Sequence, residues 1–132
     1  MSKSETKNMA AKNVSISTDA RGVSNGVSKA SLMGYNQSPR KVRLVTDLMK
    51  GKKVSVALEQ LAFLPKRAAL PIKKLIESAV ANAKANGEDV EKLRVKNITV
   101  DSDGMMVRYM PRAMGRATPI RRKKSRVSVT LA

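Results

Sequence analysis

The chain has neither cysteine nor histidine, no tryptophan, one phenylalanine and two tyrosines in 132 residues. Each absence removes a class of chemistry. Without Cys there is no disulfide, no thiolate metal site and no thiol nucleophile; without His there is no imidazole ligand and no imidazole base. A cysteine-free chain fits a reducing compartment. The scarcity of aromatics removes the bulky anchors of a membrane-surface helix. No apolar run approaches the ~18 residues of a membrane span, and the N-terminus lacks a basic-then-apolar signal pattern. Acidic residues are also few, 10 against 27 Lys plus Arg, so the formal net charge is +17 and the sequence pI near 10.8. Such self-repulsion calls for counter-charge from outside. Nucleic acid is the commonest source, and a strongly basic pI is part of its footprint.

The positive charge is concentrated in Gly104–Arg126, which holds Arg108, Arg112, Arg116, Arg121, Arg122, Lys123, Lys124 and Arg126 and no acidic residue. Leu93–Val100 before it and Arg126–Leu131 after it read as strands. The simplest geometry is a long hairpin ending in a cationic arm. With about ten residues each way at roughly 3.3 Å per residue, the arm would reach on the order of 30–40 Å. A two-stranded ribbon of that kind is not stable alone in water, so the arm reads as built for burial in a polyanion. Arg forks onto phosphate and stacks on bases. The small residues Ala113, Gly115 and Ala117 permit close backbone approach. With Tyr109 the arm's one aromatic, shape and phosphate recognition of folded RNA fits better than reading single-stranded sequence.

The length is that of one domain. Met1–Gly26, rich in Ser, Lys, Asn, Thr and Gly, reads as an extension that is disordered or bound to RNA. Residues 27–132 form the domain, with the arm at about 101–126. Val27–Tyr35 reads as an edge strand with Val27, Met33 and Tyr35 on one face. Ser38 as N-cap, Pro39 at the first helical position and Gly51 at the end delimit the clearest helix. Its buried side would carry Val42, Val45, Leu48 and Met49, with Arg40, Arg43, Asp47 and Lys50 opposite. A second helix at about Ser55–Leu64 would bury Ala57, Leu58, Leu61 and Ala62, and Pro65 ends it. A third runs from about Lys66 to Ala85 on Ile72, Leu75, Ile76, Ala79, Val80 and Ala83. Pro71 predicts a bend or a late start there. In Leu93–Val100 the alternation breaks between Val95 and Ile98, which predicts a bulge. Val127, Val129 and Leu131 share a face. The expected fold is α+β: three helices packed on a small antiparallel sheet with a long protruding basic β-hairpin.

Catalysis has little to work with. Glu59, Glu77, Asp101 and Asp103 are scattered, and the two aspartates read as turn residues before Gly104. Neither Gly51-Lys52-Lys53 nor Gly115-Arg116 is a phosphate loop. No cofactor or metal site is expected. A helix-turn-helix DNA-binding protein is the nearest rival, formed by Ser38–Lys50 and Ser55–Leu64. Its second helix has few residues able to read base edges, and the arm would have no role.

Three segments in order, SPRKVRLVTDLMKGKKVSVALEQL, IESAVANAKAN and MPRAMGRATPIRRKKS, closely resemble the bacterial-type large-subunit ribosomal protein twenty-two family. The likeness runs from about Tyr35 to Leu131. It implies a structural protein of the large subunit that binds ribosomal RNA, supports subunit assembly and runs its hairpin along the wall of the peptide exit tunnel. Expected RNA contacts are Arg40, Lys41, Arg43, Lys52, Lys53, Arg67, Lys73, Lys74, Arg108, Arg112, Arg116, Arg121, Arg122, Lys123, Lys124 and Arg126. The tunnel-lining tip would comprise Met106, Arg108, Met110, Arg112, Met114, Gly115 and Arg116. Implied partners are large-subunit ribosomal RNA, neighbouring ribosomal proteins and the nascent peptide, with no membrane and no homo-oligomer, in the cytoplasm or an organellar matrix. Two departures stand out: Val107-Arg108 replaces the family's usual basic pair after Met106, and Met1–Gly26 is additional.

Overall fold

The computed structural model describes residues 27–132, so the expected extension lies outside the described residues. The order of elements is β1 (Ser28–Tyr35), α1 (Pro39–Thr46), α2 (Val54–Phe63), α3 (Ala69–Ala85), β2 (Val95–Pro111) and β3 (Ala117–Leu131), with a short 3-10 turn at Ala113–Gly115. The three strands form one antiparallel sheet in the order β1-β3-β2. Three helices against this sheet, with a long β2–β3 hairpin, are the α+β fold expected.

The core follows from strand alternation and helix stripes. Val127, Val129 and Leu131 are buried on β3 against Val42, Val45 and Met49, Ala57 and Leu61, and Ile72, Leu75, Ile76, Ala79 and Ala83. On β2 the register shifts between Val95 and Asn97. That bulge lets Val95, Ile98 and Val100 all enter the core, which a regular period of two forbids. Pro71 lies in the first turn of α3, which starts only at Ala69. Proline is tolerated there because its missing N–H would have no helical partner.

Several expectations are corrected. The regular part of α1 ends at Thr46, and the turns that follow turn Leu48 outward, 49% exposed. The segment after them zips onto β2: Gly51 N–H donates to Val95 O (2.8 Å), Val95 N–H to Lys52 O (2.9 Å) and Val54 N–H to Leu93 O (3.2 Å). Ser38 occupies the N-cap of α1 in extended geometry, but its side chain makes no capping bond. Ala62 is exposed, and Leu58 and Val80 are only half-buried. On β1 the inward residues are Ser28, Ala30 and Leu32. Met33 points outward at 42% exposure. A register slip between Leu32 and Tyr35 then returns Tyr35 to the core side. Asp101 and Asp103 lie within β2, not in a turn.

Beyond the pair Val100–Val127 the only buried residue of either strand is Ser125. The arm therefore adds nothing to the hydrophobic core. Replacing Met105–Lys123 by Asn-Gly should leave the helical circular dichroism intact and the melt cooperative, with a midpoint shifted by less than about 8 °C. Loss of both would make the arm part of the folding unit.

Candidate nucleic-acid interface

The ladder fixes what each face of the arm carries. Directly opposed residues of antiparallel strands project to the same side, and neighbours along a strand to opposite sides. In the paired stretch from Met105–Lys123 to Pro111–Ala117, one face carries Met106, Arg108, Met110 and Arg112 with Arg122, Ile120 and Thr118. A bond from Arg112 Nε to Thr118 Oγ1 at 3.2 Å lies on this face. The other face carries Met105, Val107, Tyr109 and Pro111 with Lys123, Arg121, Pro119 and Ala117. Beyond Arg121 that second face is uncharged. The arm is therefore two-sided, cationic along its length on one side and apolar at its far end on the other.

The extreme end is also relocated. The chain reverses at Arg112–Arg116, closed by Arg112 N–H donating to Arg116 O at 2.7 Å. Met114 stands there in the left-handed region, φ 59°, 97% exposed. Met106 and Arg108, expected at the tip, lie in the shaft opposite Arg122 and Ile120. Arg121 and Arg122 sit at that same level. The spacing of charges along the sequence could not reveal this, because it depends on where the turn falls.

The inner end of the arm, with residues of both its faces, meets the globular part. Met106, Arg108, Arg122 and Lys123 of the arm enclose, with Asn36, Gln37, Ser38, Lys41 and Arg67, a cleft of about 820 Å³. Five cations line it and no carboxylate does. Tyr35 ties two of its lining residues together: its single hydroxyl proton is shared between Gln37 Oε1 (2.9 Å) and Arg67 O (3.3 Å). Burial pushes the Tyr35 hydroxyl above its ordinary pKa, while the Arg67 guanidinium pulls it down. It stays a donor at neutral pH. Asn36 and Gln37 add amide donors and acceptors that the sequence reading missed; the one signal was their place just before the helix cap.

The other expected cations divide by their surroundings. Arg40, Lys53 and Lys74 are exposed and Lys73 is half-buried. Lys52 Nζ donates to Gln60 Oε1 at 2.6 Å. Arg43 is engaged in the fold: Nη2 and Nε donate to Val100 O at 2.7 and 3.1 Å, tying α1 to β2 where the core ends. Lys124 is half-buried, and Arg126 approaches Asp103 at 4.0 Å. Among the described residues the ion pairs are Lys50–Asp47, Lys92–Asp89 and Arg126–Asp103. No cation from Arg108 to Lys124 takes part in one. No group of His, Cys, Asp or Glu among these residues could hold a metal ion, and no helix is long and apolar enough to cross a membrane.

A small α+β domain with a long, unneutralised cationic ribbon has the build of a structural ribosomal protein rather than an enzyme. Residues 30–132 match the family described as ribosomal protein L22p/L17e, and the chain belongs to that family. It is 50% identical over 106 residues to the large ribosomal subunit protein uL22 of Pelobacter propionicus, covering 80% of this chain and 96% of that one. The uL22 of Myxococcus xanthus is 51% identical over 108 residues, 80% and 95% of the two chains. That of Geobacter sulfurreducens is 47% identical over 104 residues, 78% and 94%. Family membership sets aside the helix-turn-helix reading and places the chain in the large ribosomal subunit as a non-enzymatic protein.

Arg43 and Arg40 should separate cleanly in a melt. Arg43→Gln removes the fork onto Val100 O and should cost about 1–2 kcal/mol, whereas Arg40→Gln should stay within about 0.5 kcal/mol. Equal effects in urea titration would show that the fork contributes nothing.

Proposed function

We propose that this protein binds large-subunit ribosomal RNA through the cationic face of its arm and the cleft at the arm's inner end. The observation that carries the reading is that cleft. Lys41 and Arg67 face Arg108, Arg122 and Lys123 across it, and among the described residues none of the five has a carboxylate partner. Such an arrangement costs electrostatic free energy unless a polyanion fills it. Arg40, Lys53 and Lys74 on the helices and Arg112 and Arg116 at the tip extend the same surface. Lys52, Lys73, Lys124 and Arg121 supply further charge, and Arg43 and Arg126 contribute mainly to the fold beneath it.

The family resemblance supports the finer placement. The globular part anchors on RNA near the outer mouth of the peptide exit tunnel, the arm runs along the tunnel wall, and subunit assembly depends on both. The two-sided arm divides the stretch expected to line the tunnel, Met106 to Arg116: Arg108 and Arg112, with Arg122, turn toward RNA, and the uncharged Val107, Tyr109, Pro111 and Pro119 turn to the opposite side, where a nascent peptide passes, with Met114 and Gly115 at the turn. Neighbouring ribosomal proteins are further partners, and the setting is the cytoplasmic ribosome. Residues 1–26 form an extension to the 27–132 domain.

Binding to deproteinised large-subunit RNA should weaken steeply with salt. With ~6 or more phosphate contacts, at about 0.7–0.9 per contact, the log–log slope should be −4 or steeper. A slope shallower than about −2 would show that the charge is not used this way. Replacing Lys41, Arg108, Arg122 and Lys123 together by Gln should flatten the slope by about 3 units on the same scale. The large-subunit peak of a sucrose gradient should then contain less of the variant.

A further inference from the structure

At the root of the arm two irregularities lie on the two edges of β3, one on each side of Ser125. β1 slips register between Leu32 and Tyr35, and β2 slips between Ser102 and Met105. β3 runs through unbroken, with Ser125 paired to Tyr35 on one side and Ser102 on the other. Each slip contains a glycine in the left-handed region, Gly34 at φ +67° and Gly104 at φ +87°. That conformation suits a bulge and strains any other residue.

A bulge leaves backbone donors without a ladder partner. The Gly34 N–H finds one in Asp103 Oδ2, at 2.6 Å. Asp103 belongs to the opposite bulge, so its side chain links β2 to β1, strands that are separated in the sheet by β3. Its other oxygen lies 4.0 Å from Arg126 Nη2, and Arg126 Nη2 also donates to Met33 Sδ at 3.5 Å. Asp103, Gly34, Met33 and Arg126 thus close a clasp over the root. Ser125 offers no substitute, since its buried Oγ has no partner.

The clasp sits where the arm experiences a one-signed force. Lys41 and Arg67 belong to the globular wall of the cleft, and Arg108, Arg122 and Lys123 to the arm. Like charges on the two walls push the arm away from the domain. Two bulges flanking one residue of β3 would give way there first, because each interrupts a ladder. We propose that Asp103 is a positioning residue for RNA binding: its bond to the Gly34 amide fixes the angle of the arm and holds the two cationic walls at their spacing before RNA arrives. Pre-organisation of this kind removes an ordering cost from binding. The proposal rests on the RNA-binding reading above.

The absence of cysteine allows two spin labels to be placed without background, through Ala81→Cys on α3 and Ala113→Cys at the tip. Three proteins are compared in full length: the labelled parent, and the parent with Asp103→Ala or Asp103→Asn. Asn keeps an oxygen acceptor for the Gly34 N–H but removes the charge, so the Ala-to-Asn comparison isolates the clasp from the change in net charge. The electron–electron distance distribution of the free protein should broaden with Asp103→Ala and stay narrow with Asp103→Asn. Affinity for deproteinised large-subunit RNA should be about three- to tenfold weaker for Ala than for Asn, as expected if the competent fraction falls to between a third and a tenth. The salt slope should be the same for both, because the number of phosphate contacts is unchanged. Hydrogen exchange supplies a readout free of mutation: the Gly34 amide of the unsubstituted protein should exchange slowly. Identical distance distributions for Ala, Asn and parent, or a Gly34 amide that exchanges as freely as an unbonded one, would overturn the proposal. If the unsubstituted protein did not bind the RNA, the RNA-binding reading would fail, and the free-protein distances and the exchange rate would still decide the clasp.

Discussion

Backbone pairing between β2 and β3 continues from Val95–Leu131, deep in the core, to Pro111–Ala117 beside the tip, and the rest of the molecule depends on that continuity. An isolated ribbon of this length would not hold its shape in water. Here the inner half is held by burial of Val95, Ile98, Val100, Val127, Val129 and Leu131, and by β1 on the far edge of β3. The outer half inherits its direction through the ladder. Asp101–Pro111, at about 3.3 Å per residue, carries the arm on the order of 35 Å beyond the core. Its side chains are then free to serve a ligand, because none of them is needed for folding.

The two halves of one strand pair follow opposite rules. Inside, alternation places apolar residues against the helices. Outside, beyond Arg121, the same alternation sorts charge: Arg108 and Arg112 to one side, Tyr109, Pro111 and Pro119 to the other. The change of rule falls at the root, and the irregular backbone is concentrated there. Arg43 grips Val100 O from α1, and the paired bulges with Asp103 lie just beyond. A sheet that served only a core would have no reason for two slips flanking a single residue, Ser125. A sheet that must aim a charged lever does, since bulges bend and twist the strands that contain them.

Much of the fold was legible because local rules and global packing agree. The break between Val95 and Ile98 predicted a bulge, and Pro71 a bend or a late start to α3, of which the helix takes the second. The stripe Ile72, Leu75, Ile76, Ala79 and Ala83 is buried as its period requires. Misreadings arose where a neighbour overrode the period. Leu48 follows the helical spacing but falls beyond the last regular turn. Met33 matches the inward parity of Tyr35 only if β1 has no slip, and Gly34 supplies one. Asp101 and Asp103 look like turn residues beside Gly104, yet the ladder carries the strand through them.

The sequence by itself determined the existence of the arm and pointed to a polyanion beside it: a +17 chain carries eight cations and no acid between Gly104 and Arg126, set between two apolar strands. Composition and period are properties of single residues and near neighbours, and they survive without coordinates. Which cations share a face, which stand at the tip, and which meet across the cleft were decided only by tertiary structure. Those relations depend on where the chain reverses and how the strands are registered, and one residue of slip exchanges the two faces. The turn at Arg112–Arg116 sends Arg108 into the shaft. The β1–α1 connection brings Lys41 opposite it, and the α2–α3 connection brings Arg67 there. Asp103 meets Gly34 only because two bulges, far apart in the chain, flank the same residue of β3, Ser125.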